Sequence, residues 1–192
     1  MKRKIYNELL KWKEEEKGRV AILIDGARRV GKSYIVKEFA KNEYKSFIFI
    51  DFNSAPKDIF ALFDNYLSNL DSLFMYLQNM TGVKLFERES LIVFDEVQLC
   101  PRARAAIKYL VEDGRYDYIE TGSLVSINKN VKDIVIPSEE RRLQMFPMDF
   151  EEFLWAKGYT EDTISDMLLH MTEMRAFNEL EMDIYHTLFL DF

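Results

Sequence analysis

Cysteine is all but missing from this chain: Cys100 stands alone among 192 residues, which excludes an intramolecular disulfide framework. Histidine is nearly as scarce, and His170 and His186 are too far apart on presumed helices to suggest a metal site. With only 7 glycines and 4 prolines the chain is no low-complexity polymer, and 48% apolar residues argue against disorder. No apolar run approaches the ~20 residues that a bilayer-spanning helix needs. Positive charge is in deficit too. A net charge of −7 gives no overall support to a nucleic-acid footprint, which requires clustered Lys and Arg. Local basic clusters at Lys2-Arg3-Lys4, at Arg102 and Arg104, and at Arg141-Arg142 read as solvated faces or helix ends. The opening stretch MKRKIYNELLKWKEEEKGR has no charged-then-apolar leader, so the expected location is cytoplasmic.

Against that background one octapeptide carries strong information. Gly26-Ala27-Arg28-Arg29-Val30-Gly31-Lys32-Ser33 is a full G-x-x-x-x-G-K-S phosphate-binding loop. The apolar run Val20–Asp25 before it predicts a buried strand, and Ile35, Val36 and Phe39 after it have helical spacing. An anion held there would sit at a helix N-terminus. Backbone N–H groups of residues 26–34, through Tyr34, are expected to cradle phosphate. Lys32 would reach the β- and γ-phosphates, and Ser33 would offer its hydroxyl to Mg²⁺.

Downstream, strands are predicted at Phe47–Phe52, Ser90–Asp95, Asp117–Thr121 and a short one at Asp133–Ile136, with a further alternating segment at Arg142–Phe146. Helical patterns separate them, one leading from residues 3–17 and one running from Pro56 through Leu77. Strands alternating with helices predict an α/β fold with a mainly parallel five-stranded sheet covered on both faces. The expected division is a leading amphipathic helix over 1–19, a nucleotide-binding domain over 20–158, and a helical tail over 159–192. That tail carries Ile164, Met167, Leu168, Leu180, Ile184 and Leu188 at helical spacing, an apolar stripe expected to meet a protein partner or a second copy.

Leu91-Ile92-Val93-Phe94-Asp95-Glu96, four apolar residues ending in two carboxylates, resembles a Walker B element. In P-loop ATPases such an Asp helps to hold Mg²⁺ and the following Glu orients or deprotonates the attacking water. The guanine-reading N-K-x-D pattern is missing, since Asn128-Lys129-Asn130 is followed by Val131.

The combination of G-A-R-R-V-G-K-S, L-I-V-F-D-E-V-Q, Y-I-E-T-G-S and P-M-D-F-E-E-F-L-W resembles a bacterial and archaeal group of AAA+-like P-loop ATPases. In those proteins the ATPase domain precedes a nuclease-like C-terminal domain. The likeness covers residues 1–158, and by it the chain reads as the N-terminal ATPase part. The resemblance implies Mg²⁺-dependent ATP hydrolysis coupled to conformational change, with Asp95 on the metal, Glu96 on water and Thr121 as γ-phosphate sensor. It also implies an arginine acting from a neighbouring subunit, for which Arg141 and Arg142 are the candidates, Arg141 first. Salt bridges from these arginines to Glu139 and Glu140 are the competing reading. The functional alternatives are a nucleotide-binding interaction module with little turnover and, behind it, a DNA-linked switch.

Overall fold

The run ahead of the phosphate loop forms β1 (Ala21–Gly26), buried at every position. In the computed structural model, which describes residues 2–123 and 139–192, β3 (Ser90–Asp95) and β4 (Asp117–Ser123) are buried throughout as well. Strands covered on both faces call for the apolar runs of β1 and β3, whereas β4 buries Asp117, Glu120 and Thr121. The more exposed β2 (Ser46–Asp51) and β5 (Glu140–Met145) are the two edges of a sheet ordered β2-β3-β4-β1-β5, parallel at every pairing. β4 is thus inserted between the strand that ends in the phosphate loop and the strand that ends in Asp95. Its Thr121 lies opposite Ile24, and its Glu120 opposite Phe94, so the chemistry-bearing ends of β1, β4 and β3 stand side by side.

Alternation along each strand sorts the core into two layers. Ile22, Ile24, Leu91, Val93 and Ile119 point to one face. There they meet Leu9 and Trp12 of α1 (Lys4–Glu16) and Ile35, Val36 and Phe39 of α2 (Lys32–Glu43). Leu23, Ile48, Ile92, Phe94 and Tyr118 point to the other face, against α3 (Lys57–Asn65), α4 (Leu70–Thr81) and α5 (Pro101–Asp113). Each fully buried side chain of this size contributes about 1.5–3 kcal/mol relative to exposure. That is ample reason for register to be fixed, because a one-residue slip would send each set to the wrong layer. The Trp12 indole N–H also donates to the Val20 carbonyl at 2.8 Å, fastening α1 to the start of β1.

The single helix predicted from Pro56 through Leu77 is two helices. Asn69 interrupts it by accepting a hydrogen bond from the Ser72 N–H at 3.1 Å, an N-cap that starts α4 anew. The strand expected at Asp133–Ile136 lies outside the described residues. The fifth strand of the sheet is β5, which overlaps the segment read as an extra strand at 142–146, beginning two residues earlier and ending one residue sooner.

Residues 5–146 form one compact unit, and residues up to Lys4 with Pro147–Phe192 form another. In the second, the P-M-D-F-E-E-F motif has a structural explanation. Asp149 and Glu152 make a capping box at the start of α6 (Phe150–Lys157). Glu152, buried, also pairs with the buried Arg3 at 3.1 Å, while Lys4 reaches Asp149 and Glu151 at 2.6 Å and Lys2 meets Glu161. Lys2 and Lys4 are thus exposed, as a solvated face requires, whereas Arg3 between them is buried and ion-paired. The stripe beyond residue 160 is divided between α7 (Glu161–Thr172) and α8 (Glu179–Asp191), the latter opened by an Asn178–Glu181 capping box. Leu154, Ile164 and Leu188 are the buried centre of this unit, whereas Leu180, Phe189 and Leu190 remain exposed.

Candidate active site

The loop between β1 and α2 turns on three residues with positive φ: Gly26 (154°), Arg29 (67°) and Gly31 (95°). Such a succession aims backbone N–H groups into a concavity at the N-terminus of a helix, an anion-binding arrangement. Gly26 is required for a further reason. It pairs with Met145 across β1 and β5, and a Cβ at this position would run into the Met145 carbonyl oxygen, which is backbone and cannot step aside. Gly26→Ala is expected to cost about 1–3 kcal/mol, read as a lower urea midpoint.

Lys32, buried, lies over this loop and donates to the carbonyls of Gly26 at 3.2 Å and Ala27 at 2.8 Å. Burial draws its ammonium below the ordinary lysine range, opposed by the carboxylates of Glu96, Asp95 and Asp25. Val30 packs on the layer that holds α1 and α2, while Ala27, Arg28, Arg29 and Tyr34 are exposed.

Ser33, one residue into α2, donates to both carboxylate oxygens of Asp95, at 2.8 and 2.9 Å. Thr121 donates to Asp95 from β4 and accepts the Glu96 N–H at 3.3 Å, so one hydroxyl links the two acids. Burial raises the Asp95 carboxyl above its ordinary value, and the Thr121 and Ser33 hydroxyls pull it back by favouring the charged form. Ser33 and Asp95 offer hard oxygen donors side by side. That set suits Mg²⁺, which takes one or two protein oxygens and fills its octahedron with water and phosphate. No cluster of three or more His, Cys, Asp or Glu suited to a metal occurs among the described residues.

Glu96 follows in the left-handed backbone region (φ 54°, ψ 46°), which turns its side chain from the strand direction toward a cleft of about 550 Å³. The cleft is lined by Arg28, Arg29, Asp51, Asp95, Glu96 and Gln98, among others. Sequence reasoning missed two of these. Asp51 closes β2 directly opposite Asp95, a position that only the strand order reveals. Gln98 is 4% exposed on the short 3-10 turn Val97–Leu99 and donates its amide to the Glu96 carboxylate. Its signal was the Q of D-E-V-Q, which reads as an ordinary turn residue until the turn is known to be buried.

Phosphate loop, Ser33, Asp95, Glu96 and Thr121 are thus brought together. Arg141 is not among them: it stands opposite Ile22, about 13 Å down the strand from Gly26, with its guanidinium 3.9 Å from Glu8. Arg142 pairs with the buried Asp25. Neither arginine takes Glu139 or Glu140 as its ion-pair partner here. Arg104, read as part of a solvated cluster, is 2% exposed and lies between the carboxylates of Glu120 and Glu140, because α5 turns that face to the sheet. Cys100, at the start of α5, is a packed residue within the core, and burial pushes its thiol up.

Among the described residues no helix is long and apolar enough to cross a membrane. No curated protein matches the chain. The model of the AAA domain family, however, matches residues 18–154, a span that runs from just before β1 into α6 and contains every residue of the cleft. With a phosphate loop, an Asp-Glu strand end and an inserted polar strand assembled on one parallel sheet, the chain belongs to the AAA domain family of nucleotide-binding P-loop ATPase domains.

Proposed function

We propose that this protein binds ATP with Mg²⁺ and hydrolyses the γ-phosphate. The observation that carries the reading is the meeting of Ser33, Asp95, Thr121 and Glu96 at the mouth of the phosphate loop. In it, the loop N–H groups and Lys32 hold the triphosphate. Ser33 and Asp95 would hold Mg²⁺, which would supply positive charge against the phosphates. Glu96 accepts a proton from the attacking water, and Thr121 ties Glu96 to Asp95 so that metal site and base move together. The energy would be used in a conformational change, with a cytoplasmic setting in keeping with the single buried cysteine.

Titration of Mg-ATP into the purified chain tests the binding step. Lys32→Ala removes a charge-assisted contact and is expected to weaken ATP about 10- to 100-fold, with the fold retained by circular dichroism. Equal affinity of the two proteins would sink the reading. Addition of EDTA is expected to abolish hydrolysis.

A second reading has its own observation. The second unit leaves Met174, Leu180 and Leu190 each at least 70% exposed, a surface suited to a protein partner or a second copy of the chain. On that reading the site holds ATP as a switch and turns over little. Tight binding with negligible phosphate release at every protein concentration would favour it. The basic clusters give a DNA-linked role no help, since Arg3, Arg104, Arg141 and Arg142 all have acidic neighbours.

A further inference from the structure

Phosphoryl transfer concentrates negative charge on the γ-phosphate oxygens and on the leaving oxygen of ADP, and a cation placed there lowers the barrier. The cleft at this point is rich in the opposite sign, since Asp51, Asp95 and Glu96 all line it. The arginines of β5 have acidic neighbours away from the cleft, Arg141 with Glu8 3.9 Å off and Arg142 at Asp25, and Arg104 is buried between two glutamates. Arg28 and Arg29 differ. Both are exposed, both line the cleft, and among the described residues neither enters an ion pair or hydrogen bond.

The backbone separates the two. Arg29 holds φ at 67°, in the left-handed region that suits glycine, whereas Gly31 meets a similar demand with a glycine. A side chain kept where glycine would be cheaper points to a use for that side chain. Its use here follows from charge and shape, because a guanidinium presents a rigid fork of N–H donors that matches phosphate oxygens two at a time.

We infer that Arg29 is a catalytic residue acting in cis, supplying from the phosphate loop itself the positive charge that the γ-phosphate needs during hydrolysis. The inference rests on the ATPase reading above. In the step concerned, the water oxygen bonds to the γ-phosphorus and the bond from that phosphorus to the β,γ-bridging oxygen breaks. The water proton passes to Glu96, and ADP departs with the electron pair while Arg29 remains unchanged. The chain would then need no arginine from a neighbour, and Arg141 would be dispensable for turnover.

Single-turnover phosphate release from the full chain tests this. Arg29→Gly, which removes the guanidinium and relaxes the backbone at once, is expected to slow release about 100-fold. It should shift the ATP Kd by less than about tenfold and leave Tm equal or higher. Arg29→Lys keeps the charge without the fork and is expected to recover only about a tenth of the lost rate. Mixing Arg29→Gly with Lys32→Ala separates cis from trans: no recovery supports the inference, and recovery overturns it by assigning the arginine to a neighbour. Release by Arg29→Gly at the wild-type rate also overturns it. If wild type releases no more phosphate than Lys32→Ala does, the ATPase reading fails and the inference falls with it.

Discussion

Replacing Glu96 with glutamine is expected to lower ATP turnover about 1000-fold while leaving ATP binding within a factor of a few of wild type. The substitution is nearly isosteric. Gln98 donates its amide to the Glu96 carboxylate, and a carbonyl oxygen at the same place accepts that hydrogen bond equally. The Glu96 N–H still reaches Thr121, so the left-handed turn that carries residue 96 has no cause to change. What disappears is the acceptor for the water proton, worth about 4 kcal/mol at that rate ratio. Phosphate release at saturating ATP, set beside the Kd for the same nucleotide, measures both quantities. A Glu96→Gln protein that hydrolyses ATP at the wild-type rate removes Glu96 from the chemistry. Glu96→Ala is a poorer probe, because it also strips the buried Gln98 amide of its partner.

The site was legible in the sequence to the extent that single residues dictate local backbone or chemistry. Gly26 and Gly31 are readable because a tight phosphate loop needs positive φ and close backbone approach. Asp95 is readable because four apolar residues before it announce a buried strand end. Thr121 required an assumption about strand order, and its contact with Asp95 follows from β4 lying between β1 and β3. Asp51 and Gln98 were lost because neither position is special locally; one depends on which strand neighbours β3 and the other on the burial of a three-residue turn.

Helix ends were misread where apolar spacing continues across them. Leu62, Phe63, Leu73 and Phe74 form one apparent stripe, and only the Asn69 cap reveals the break. The same is true of the second unit, where the Asn178-Glu181 spacing of a capping box was the available sign. Arg104 is a more instructive miss. Ala103, Ile107, Leu110 and Val111 are all buried, so the helical period that predicts their burial also places Arg104 on the inner face. Glu120 gave a matching sign, as a carboxylate inside a strand otherwise buried throughout.

Those two residues and Glu140 make the second large effect. Arg104 lies 3.1 Å from Glu120 and 2.9 Å from Glu140, with all three side chains nearly inaccessible. Removing the guanidinium by Arg104→Ala leaves the buried Glu120–Glu140 pair with no countercharge for the negative charge it carries, at a cost of about 3–5 kcal/mol. For a domain of this size that lowers Tm by roughly 10–15 °C. Glu120→Gln should act in the opposite direction. Burial, reinforced by the facing Glu140 carboxylate, pushes the Glu120 carboxyl well above its ordinary 4.5, and Arg104 only partly offsets this. The folded chain therefore keeps a proton that the unfolded chain releases. Its stability contribution is complete below the unfolded value and falls as pH rises toward the folded one, by at most about 1.4 kcal/mol per pH unit. Glutamine is the uncharged form made permanent. Its carbonyl oxygen can still accept from the Arg104 guanidinium, and it sets no negative charge against Glu140. Urea midpoints for wild type and Glu120→Gln should accordingly be similar near pH 4.5 and diverge in favour of the variant as pH rises. Parallel curves across that range would mean that Glu120 gives up its proton in the folded protein as readily as in the unfolded chain.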